Sequence, residues 1–261
     1  GTTYNANQAT YTAAAGNNLL VNGGATTTYA ATDDAIAFNT ANIKLADGSD
    51  LVVTSGGGAI TTLGIRGTSS EDVTLTSIGG AVNTVSVGVI GSGNEINTVA
   101  LSGSTSVTLN GNITTSNAAG NNVTVTGPVV LGADLTIDTD TAGTDGNISF
   151  TSTVDGAQAL ILNAGSGGDI TVGGAIGDTN AVDALNFDGK DISIANIGGA
   201  AAGVTGVTDI NAVNQLTFKG TTYNANQATY TAAAGNNLLV NGGATTTYAA
   251  TDDAIAFNTA N

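Results

Sequence analysis

The sequence predicts an all-β chain that folds as a parallel β-solenoid with coils of about 22–25 residues. Three observations favour this fold class. The composition is dominated by Gly, Thr, Ala, Asn, Val and Ile, a set that suits strands and turns better than helices. Short apolar–small–apolar triplets recur along the chain. A long internal duplication indicates a repeat protein. Together, the three observations favour a stack of similar coils.

The composition excludes several classes of function. The chain has 261 residues, of which 41% are hydrophobic and 9% are charged, and this combination indicates a folded protein. Because Cys and His are absent, disulfides, thiol catalysis and Ser-His-Asp catalysis are excluded. Lys and Arg total 4 against 20 Asp and Glu, which leaves no nucleic-acid-binding patch. No apolar run is long enough to predict a membrane span, and the composition indicates an extracellular structural protein.

The internal duplication divides the chain. Residues 1–42 and 220–261 are identical, with an offset of 219 residues. We therefore predict that residues 1–219 form one complete tandem repeat unit and that residues 220–261 begin the next identical unit. An engineered fusion is the alternative explanation. The second segment contributes two of the aspartates, so one unit has a formal charge of −14, whereas the whole chain has −16.

The triplets predict short strands. Alternate side chains of a strand face the same way, so two apolar residues point to the core while the middle one, usually Thr or Ser, points to solvent. Gly, Asn and Asp separate the triplets, as turns require. The triplets are 73–75, 85–87, 107–109, 123–125, 135–137, 148–150, 160–162, 170–172, 185–187, 192–194 and 216–218.

The spacing between triplets predicts the architecture. Alternate triplets lie 22 to 25 residues apart, as from Val123 to Ile148, from Ile148 to Ile170 and from Leu160 to Leu185. This distance fits one solenoid coil that contains more than one short strand, whereas sandwich strands usually run longer. A 219-residue unit would then hold nine or ten coils and measure roughly 45 Å at an inter-strand spacing of about 4.8 Å.

One stretch resembles a known group of proteins. Residues 133–177 (ADLTIDTDTAGTDGNISFTSTVDGAQALILNAGSGGDITVGGAIG) resemble the repeats of filamentous-haemagglutinin-type and autotransporter-type giant surface proteins of bacteria. The resemblance covers most of residues 73–218. It implies a right-handed parallel β-helix, a cell-surface location and a role in adhesion or matrix building.

Aspartates supply candidate calcium ligands. Asp138, Asp140 and Asp145 lie in the segment DTDTAGTDG, and calcium accepts six to eight oxygen ligands from such turns. The segment does not match the EF-hand pattern, which requires a ligand where Ala142 stands. Further candidate pairs are Asp33 with Asp34, Glu71 with Asp72, and Asp188 with Asp191. The alternative is that all of these carboxylates are solvated turn residues. No cofactor is required by the sequence, and calcium is the one candidate.

All six tyrosines lie in the duplicated segments. Tyr offers apolar area with a polar tip, so these residues could mark a lateral patch for self-association, or their rings could pad or cap the core. They are Tyr4, Tyr11, Tyr29, Tyr223, Tyr230 and Tyr248.

The sequence therefore predicts an extracellular, cell-surface structural filament or stalk that is not an enzyme and serves adhesion or matrix building. Its expected partners are other copies, joined end to end or laterally into a fibre, and glycans of host or neighbouring cells, with no nucleic acid and no membrane span. The alternatives are a surface-layer or sheath component packed laterally, a carbohydrate-active β-helix enzyme, and an ice-binding protein with Thr-rich faces. The sequence contains neither G-x-G-x-x-G nor G-x-S-x-G.

Overall fold

A computed structural model describes residues 1–14, 16–39, 42–68, 70–93, 95–116, 120–141, 144–199, 203–233, 235–251 and 253–259. Within these residues the chain is a parallel β-solenoid of about ten turns, and it contains no helix. The predicted fold class is confirmed.

Short strands make up almost all of the regular structure, which suits a chain rich in β-branched residues and poor in helix formers. The strands are β1 (Thr3–Ala6), β2 (Ala9–Thr12), β3 (Asn18–Val21), β4 (Thr27–Ala31), β5 (Ile36–Asn39), β6 (Asn42–Leu45), β7 (Leu51–Ser55), β8 (Ile60–Arg66), β9 (Asp72–Ser77), β10 (Thr84–Ile90), β11 (Thr98–Gly103), β12 (Ser106–Leu109), β13 (Ile113–Thr114), β14 (Val123–Thr126), β15 (Val129–Leu131), β16 (Leu135–Asp138), β17 (Asp140–Thr141), β18 (Thr144–Asp145), β19 (Ile148–Phe150), β20 (Val154–Asp155), β21 (Ala159–Asn163), β22 (Ile170–Val172), β23 (Ala184–Ile194), β24 (Val204–Phe218), β25 (Thr222–Ala232), β26 (Leu238–Val240), β27 (Thr247–Ala250) and β28 (Ile255–Thr259).

Each turn has three sides. The first side stacks β1, β4, β7, β9, β11, β14, β19, β22, the ends of β23 and β24, and β26. The second stacks β2, β5, the starts of β8 and β10, β12, β15, β20, two single-residue bridges, the start of β25, and β27. The third stacks β3, β6, the ends of β8 and β10, β13, β16, β21, the starts of β23 and β24, the end of β25, and β28.

The register agrees with the triplet spacing. Val123 pairs with Ile148, and Ile148 pairs with Ile170 on the next turn. Leu160 pairs with Leu185 in the same way on the third side. All of these pairs are parallel, and each places one aliphatic core residue on another a full turn away. The predicted coil length is therefore confirmed, turn by turn, in the part of the chain that contains the triplets.

The core lies along the axis of the stack. In β9 the burial alternates strictly, so that Val73 and Leu75 are fully buried while Thr74 and Thr76 face outward. Fully burying such a side chain contributes about 1.5–3 kcal/mol. Because most turns repeat this alternation, the core is a continuous column of Val, Ile, Leu and Phe. Each turn is buried only by its two neighbours, as in other solenoids.

The two identical segments lie on different sides of the solenoid. Tyr4 belongs to β1 on the first side, whereas its counterpart Tyr223 belongs to the start of β25 on the second side. Along the second side, nine steps between turns lead from β2 to the start of β25. An offset of 219 residues therefore equals nine turns plus one further side. The stack continues without interruption across residues 219 and 220, since β24 pairs with both β25 and β26.

Corners require residues that allow close approach of neighbouring turns. Gly91 has a φ of +80°, and a Cβ built on it would lie 1.9 Å from the carbonyl oxygen of Thr114 on the next turn. No other residue type fits such a corner. Pro128 lies in the corner between β14 and β15, where its carbonyl accepts a hydrogen bond from the Val107 amide at 2.7 Å.

In the described part of the chain, no helix has the length and apolar character needed to cross a membrane.

Candidate functional site

The predicted calcium ligands lie at a hairpin that leaves the solenoid between the third and first sides. The hairpin consists of β17 and β18, which pair antiparallel, with Asp140 directly opposite Asp145. Asp138 precedes it as the last residue of β16. Ala142 and Gly143, at the tip of the predicted calcium segment, lie outside the described residues. The structure therefore brings together the three aspartates that the sequence suggests, two of them as a cross-strand pair.

Hydrogen bonds already occupy two of these carboxylates. Asp138 Oδ1 accepts from the Asp140 amide at 3.0 Å and from Asn163 Nδ2 at 3.2 Å. Asp145 Oδ2 accepts from the Gly167 amide at 2.6 Å. Burial and then the negative charge of Asp145 raise the pKa of Asp140 above its ordinary value. The hairpin thus holds carboxylates whose charges repel one another, a situation that a bound cation would relieve.

The residues that the structure describes do not form a complete metal site. Among the described residues, no group of three or more Asp, Glu, His or Cys side chains is arranged to hold a metal ion. Calcium binding at Asp138, Asp140 and Asp145 therefore stays a prediction that requires a direct test.

A ladder of alternating aspartate and asparagine runs along the third side beside this hairpin. Asp138, Asn163, Asp188 and Asn211 stack on four consecutive turns. Asn163 Nδ2 donates to Asp138 Oδ1 and Asn211 Nδ2 donates to Asp188 Oδ1, each at 3.2 Å. The alternation keeps carboxylates two turns apart, because an amide separates each pair. Like charges on directly opposed strands would destabilise the sheet.

Amide–carboxylate hydrogen bonds between successive turns also occur on the first side. Asn97 Nδ2 donates to Asp72 Oδ1 at 2.9 Å, and Asn214 Nδ2 donates to Asp191 Oδ1 at 2.6 Å. Sequence reasoning missed these pairs. The spacing of Asp and Asn by one coil length, 23 to 25 residues, is the signal that would have revealed them.

A shallow groove of about 340 Å³ lies over the ladder. Asp140, Asn163, Asp188 and Asn211 contribute its polar lining, and Gly189 and Ala212 contribute part of its floor. The Asn163 and Asn211 amides in this groove already donate to Asp138 and Asp188, and most of the remaining lining is apolar.

Glu71, another predicted acidic candidate, has a structural role. Its side chain is fully buried and accepts hydrogen bonds from the Thr68 amide at 2.5 Å, Thr68 Oγ1 at 2.6 Å, Ser70 Oγ at 3.0 Å and the Gly48 amide at 3.2 Å. Burial alone would raise the pKa of Glu71, but these hydrogen bonds outweigh it, so that the pKa lies below its ordinary value. The carboxylate therefore closes the corner between β8 and β9 and ties it to the turn before.

The tyrosines form two aromatic clusters, one in each copy of the duplicated segment. In the first copy, Tyr4 stacks on Tyr29 with ring centroids 4.8 Å apart, and Tyr11 stacks on Phe38 at 5.2 Å. In the second copy, Tyr223 stacks on Tyr248 at 5.0 Å and Tyr230 stacks on Phe257 at 5.6 Å. Identical residues thus make identical contacts within each copy.

The second copy has an additional ring below it. Phe218 packs edge-on against Tyr223, Tyr230 and Tyr248, at 4.9, 5.0 and 5.2 Å. Tyr223 and Tyr230 are consequently buried, at 1% and 0% exposure, whereas Tyr4 is 40% exposed. The rings point toward the axis, as core-padding residues do. Tyr223 and Tyr230 present no lateral surface, so a lateral contact patch would have to involve the more exposed tyrosines, Tyr4, Tyr11, Tyr29 and Tyr248.

Comparisons of the chain with known proteins gave no match. No protein-family model, no curated protein and no solved structure matches it. The resemblance to filamentous-haemagglutinin-type and autotransporter-type repeats therefore rests on the sequence stretch quoted above and on the β-solenoid fold.

Proposed function

We propose that the chain is a structural segment of an extracellular filament or stalk, in which tandem β-solenoid units add length and serve cell-surface adhesion or matrix building. One observation carries this proposal. The turns of residues 204–218 continue into residues 220–232 with paired strands, so one unit leads directly into the next. A repeat that joins in this way extends a rod and creates no hinge between units.

The packing supports a rod of any length. Each turn pairs only with the turns before and after it, and the core residues of successive turns stack directly. Units can therefore be added without changing the contacts of those already present. Nine turns and one side at about 4.8 Å per turn give an axial length of roughly 45 Å per 219 residues.

The surface chemistry is consistent with a solvated fibre. The chain carries a net charge of −16, which keeps parallel rods apart through mutual repulsion. One amide–carboxylate ladder lies on the third side and two separate amide–carboxylate pairs lie on the first side, so the outer surface offers hydrogen-bonding groups. Glycans at the surface of a host or neighbouring cell are the partners that such a surface suits. We assign no catalytic role and no required cofactor to the chain.

Electron microscopy of native material tests this function. The proposal predicts thin, unbranched rods in which the 219-residue unit repeats every 45 Å or so along the axis. A compact particle that cleaves polysaccharide would contradict it and favour a carbohydrate-active enzyme. A two-dimensional lattice would favour a surface-layer component packed laterally.

A further inference from the structure

We propose that the outer face of the third side binds a linear polysaccharide that carries amino groups, in a groove that extends from Asp134 to Asp209. This stretch is called the third-side groove below. The inference deepens the proposed function and rests on its assignment of glycans as partners, because it names the chemical class of the glycan and the residues that bind it.

The third-side groove consists of two adjoining hollows of about 240 and 270 Å³. They share Ala159 and Ile161, and together they extend over β16, β21 and the starts of β23 and β24. Each of these four consecutive turns is paired with a turn on either side, so the opening of the groove to solvent does not depend on the ends of the chain. Asp134 and Asp209 lie three turns apart, or about 14 Å along the axis, which leaves room for several sugar rings.

Small and aliphatic side chains form the floor of the groove. Ala159 pairs with Ala184 on the next turn, and because both side chains end at Cβ, the surface is low at this point. Ile161 and Val207 in the same hollow are 38% and 50% exposed. Exposed aliphatic groups gathered in a groove are typical of a binding surface. A sugar ring can cover them with its C–H face while its hydroxyls stay in water.

The polar groups of the groove are acceptors that lack donors. Asn186 Oδ1 is buried and accepts no hydrogen bond from the described residues. Asn186 pairs with Asp209 on the next turn, and the Asp209 carboxylate likewise receives no hydrogen bond from the part of the chain that the structure describes. At the other end, Asp134 Oδ1 accepts from the Ala159 amide at 2.8 Å.

These acceptors determine the charge of the ligand. Among the described residues, no Lys or Arg lines either hollow, so the carboxylates of Asp134 and Asp209 have no cation beside them in the groove. A buried acceptor without a donor costs free energy, and Asn186 Oδ1 is such an acceptor. An ammonium group donates hydrogen bonds and carries positive charge, and it therefore complements both features.

The backbone of the third side favours a polysaccharide over a basic peptide. Its N–H and C=O groups pair with the turns before and after them through β16, β21, β23 and β24. A peptide strand in the groove would find no backbone partners there, although strand addition to a sheet depends on them. A polysaccharide has no such requirement, because its rings contact Ile161 and Val207 while its ammonium groups contact the carboxylates at the two ends.

Isothermal titration calorimetry with the 261-residue chain tests the proposal. The probes are a hexamer of β-1,4-linked glucosamine, its fully N-acetylated form and hexalysine, all at a mildly acidic pH at which the glucosamine amines are protonated. We expect the glucosamine hexamer to bind at least tenfold more tightly than the acetylated hexamer, because acetylation removes the charge. It should also bind more tightly than hexalysine, which lacks sugar rings, and its affinity should fall as salt is added.

Three variants locate the binding. Asp209→Asn should weaken binding of the glucosamine hexamer at least fivefold. Asp33→Asn is the matched control, since it removes the same charge from an exposed turn between β4 and β5 and should leave binding unchanged. Ala184→Gln fills the hollow without any change of charge and should also weaken binding at least fivefold. Circular dichroism checks that each variant keeps the fold.

Four results would overturn the proposal. They are no detectable binding of the glucosamine hexamer, equal binding of its acetylated form, equal losses in Asp209→Asn and Asp33→Asn, and tighter binding of hexalysine. The last result would assign the groove to a basic peptide. Each of them leaves the filament role standing, because electron microscopy of the rods requires no glycan and tests that role separately.

Discussion

Tyr4 and Tyr223 occupy the same position in two identical 42-residue segments, yet they lie on adjacent sides of the three-sided solenoid. If residues 1–219 are one repeat unit, each unit is therefore rotated by one side relative to the unit before it. In a tandem array built by this rule, the Asp138–Asn163–Asp188–Asn211 ladder would appear on each side in turn, and every third unit would present it in the same direction. A filament of this kind would present the ladder on all three of its sides along its length.

The duplicated segments allow the same substitution to be compared in two environments. Tyr230→Ala removes a fully buried ring between Phe218 and Phe257, and we expect it to lower the free energy of unfolding by about 3–5 kcal/mol. Tyr11→Ala, its counterpart, removes a ring that is only partly buried and should therefore cost less, about 1 kcal/mol.

Urea denaturation followed by circular dichroism measures both variants. Equal losses of stability in Tyr230→Ala and Tyr11→Ala would contradict the full burial of the first ring and the partial burial of the second.

Alkaline pH should weaken the second aromatic cluster. Burial raises the pKa of Tyr248 from the ordinary 10 to about 12, and burial raises the pKa of Tyr230 further. Because the folded-state pKa values are raised, the neutral rings stabilise the fold fully below pH 10. That contribution is lost as the pH rises from 10 through 12 and beyond. Absorbance at the phenolate band, recorded together with circular dichroism, should show that the most resistant tyrosines ionise as the fold is lost.

Acid pH should act through Glu71. Its pKa is lowered in the folded state, so its stabilising contribution is present above the unfolded value near 4.5 and is lost as the pH falls through the lower folded value. Glu71→Gln should cost about 1–3 kcal/mol at neutral pH, because hydrogen bonds to a charged acceptor are replaced. The variant should also lose less stability than the parent chain between pH 5 and pH 3. A parallel decline of the two chains would refute this role.

Substitutions at two nearby glycines distinguish the energetic cost of backbone strain from that of a steric clash. Gly91 and Gly93 both have positive φ, +80° and +69°, but a Cβ at Gly91 would meet the Thr114 carbonyl at 1.9 Å while a Cβ at Gly93 would meet open space. Gly93→Ala should therefore cost about 1 kcal/mol from φ alone. Gly91→Ala should cost at least about 2 kcal/mol more, since two turns must separate. Thermal unfolding of the two variants side by side gives the comparison, and similar melting temperatures would exclude the close contact.

Calcium is tested at the hairpin. If Asp138, Asp140 and Asp145 bind calcium, the melting temperature should rise in its presence and fall again on addition of a chelator. Asp140→Asn should abolish this response and, without calcium, raise the melting temperature, because it removes the repulsion from Asp145. A melting temperature that is insensitive to both calcium and chelator would show that calcium does not stabilise the fold.

The sequence predicts the solenoid and its coil length because the core residues repeat in kind. Val123, Ile148 and Ile170 stand at the spacing that the paired strands later show. The number of sides in each turn was harder to predict from the sequence. On the second side, Ile176 and Ile197 contribute single-residue bridges without a flanking triplet, so no strand pattern marks that side of the turn.

The candidate sites were predictable only in part. The grouping of Asp138, Asp140 and Asp145 follows from their closeness in sequence, and the structure places them together. The ladder from Asp138 to Asn211 joins residues a full coil apart, and its detection requires the register. Likewise, Tyr4 and Tyr223 are the same in sequence, and their different burial depends on Phe218 and on the turn below, which no local pattern encodes.

The length of the rod as a function of unit number tests the central claim most directly. One or two further copies of residues 43–261, appended after Asn261, continue the tandem order without a new junction sequence. Cryo-electron microscopy of the three proteins should show straight rods that lengthen by roughly 45 Å for each added unit, at a strand spacing of about 4.8 Å along the axis. Particles that grow as separate globules on flexible links, or that lengthen by a clearly different increment, would contradict the continuous solenoid.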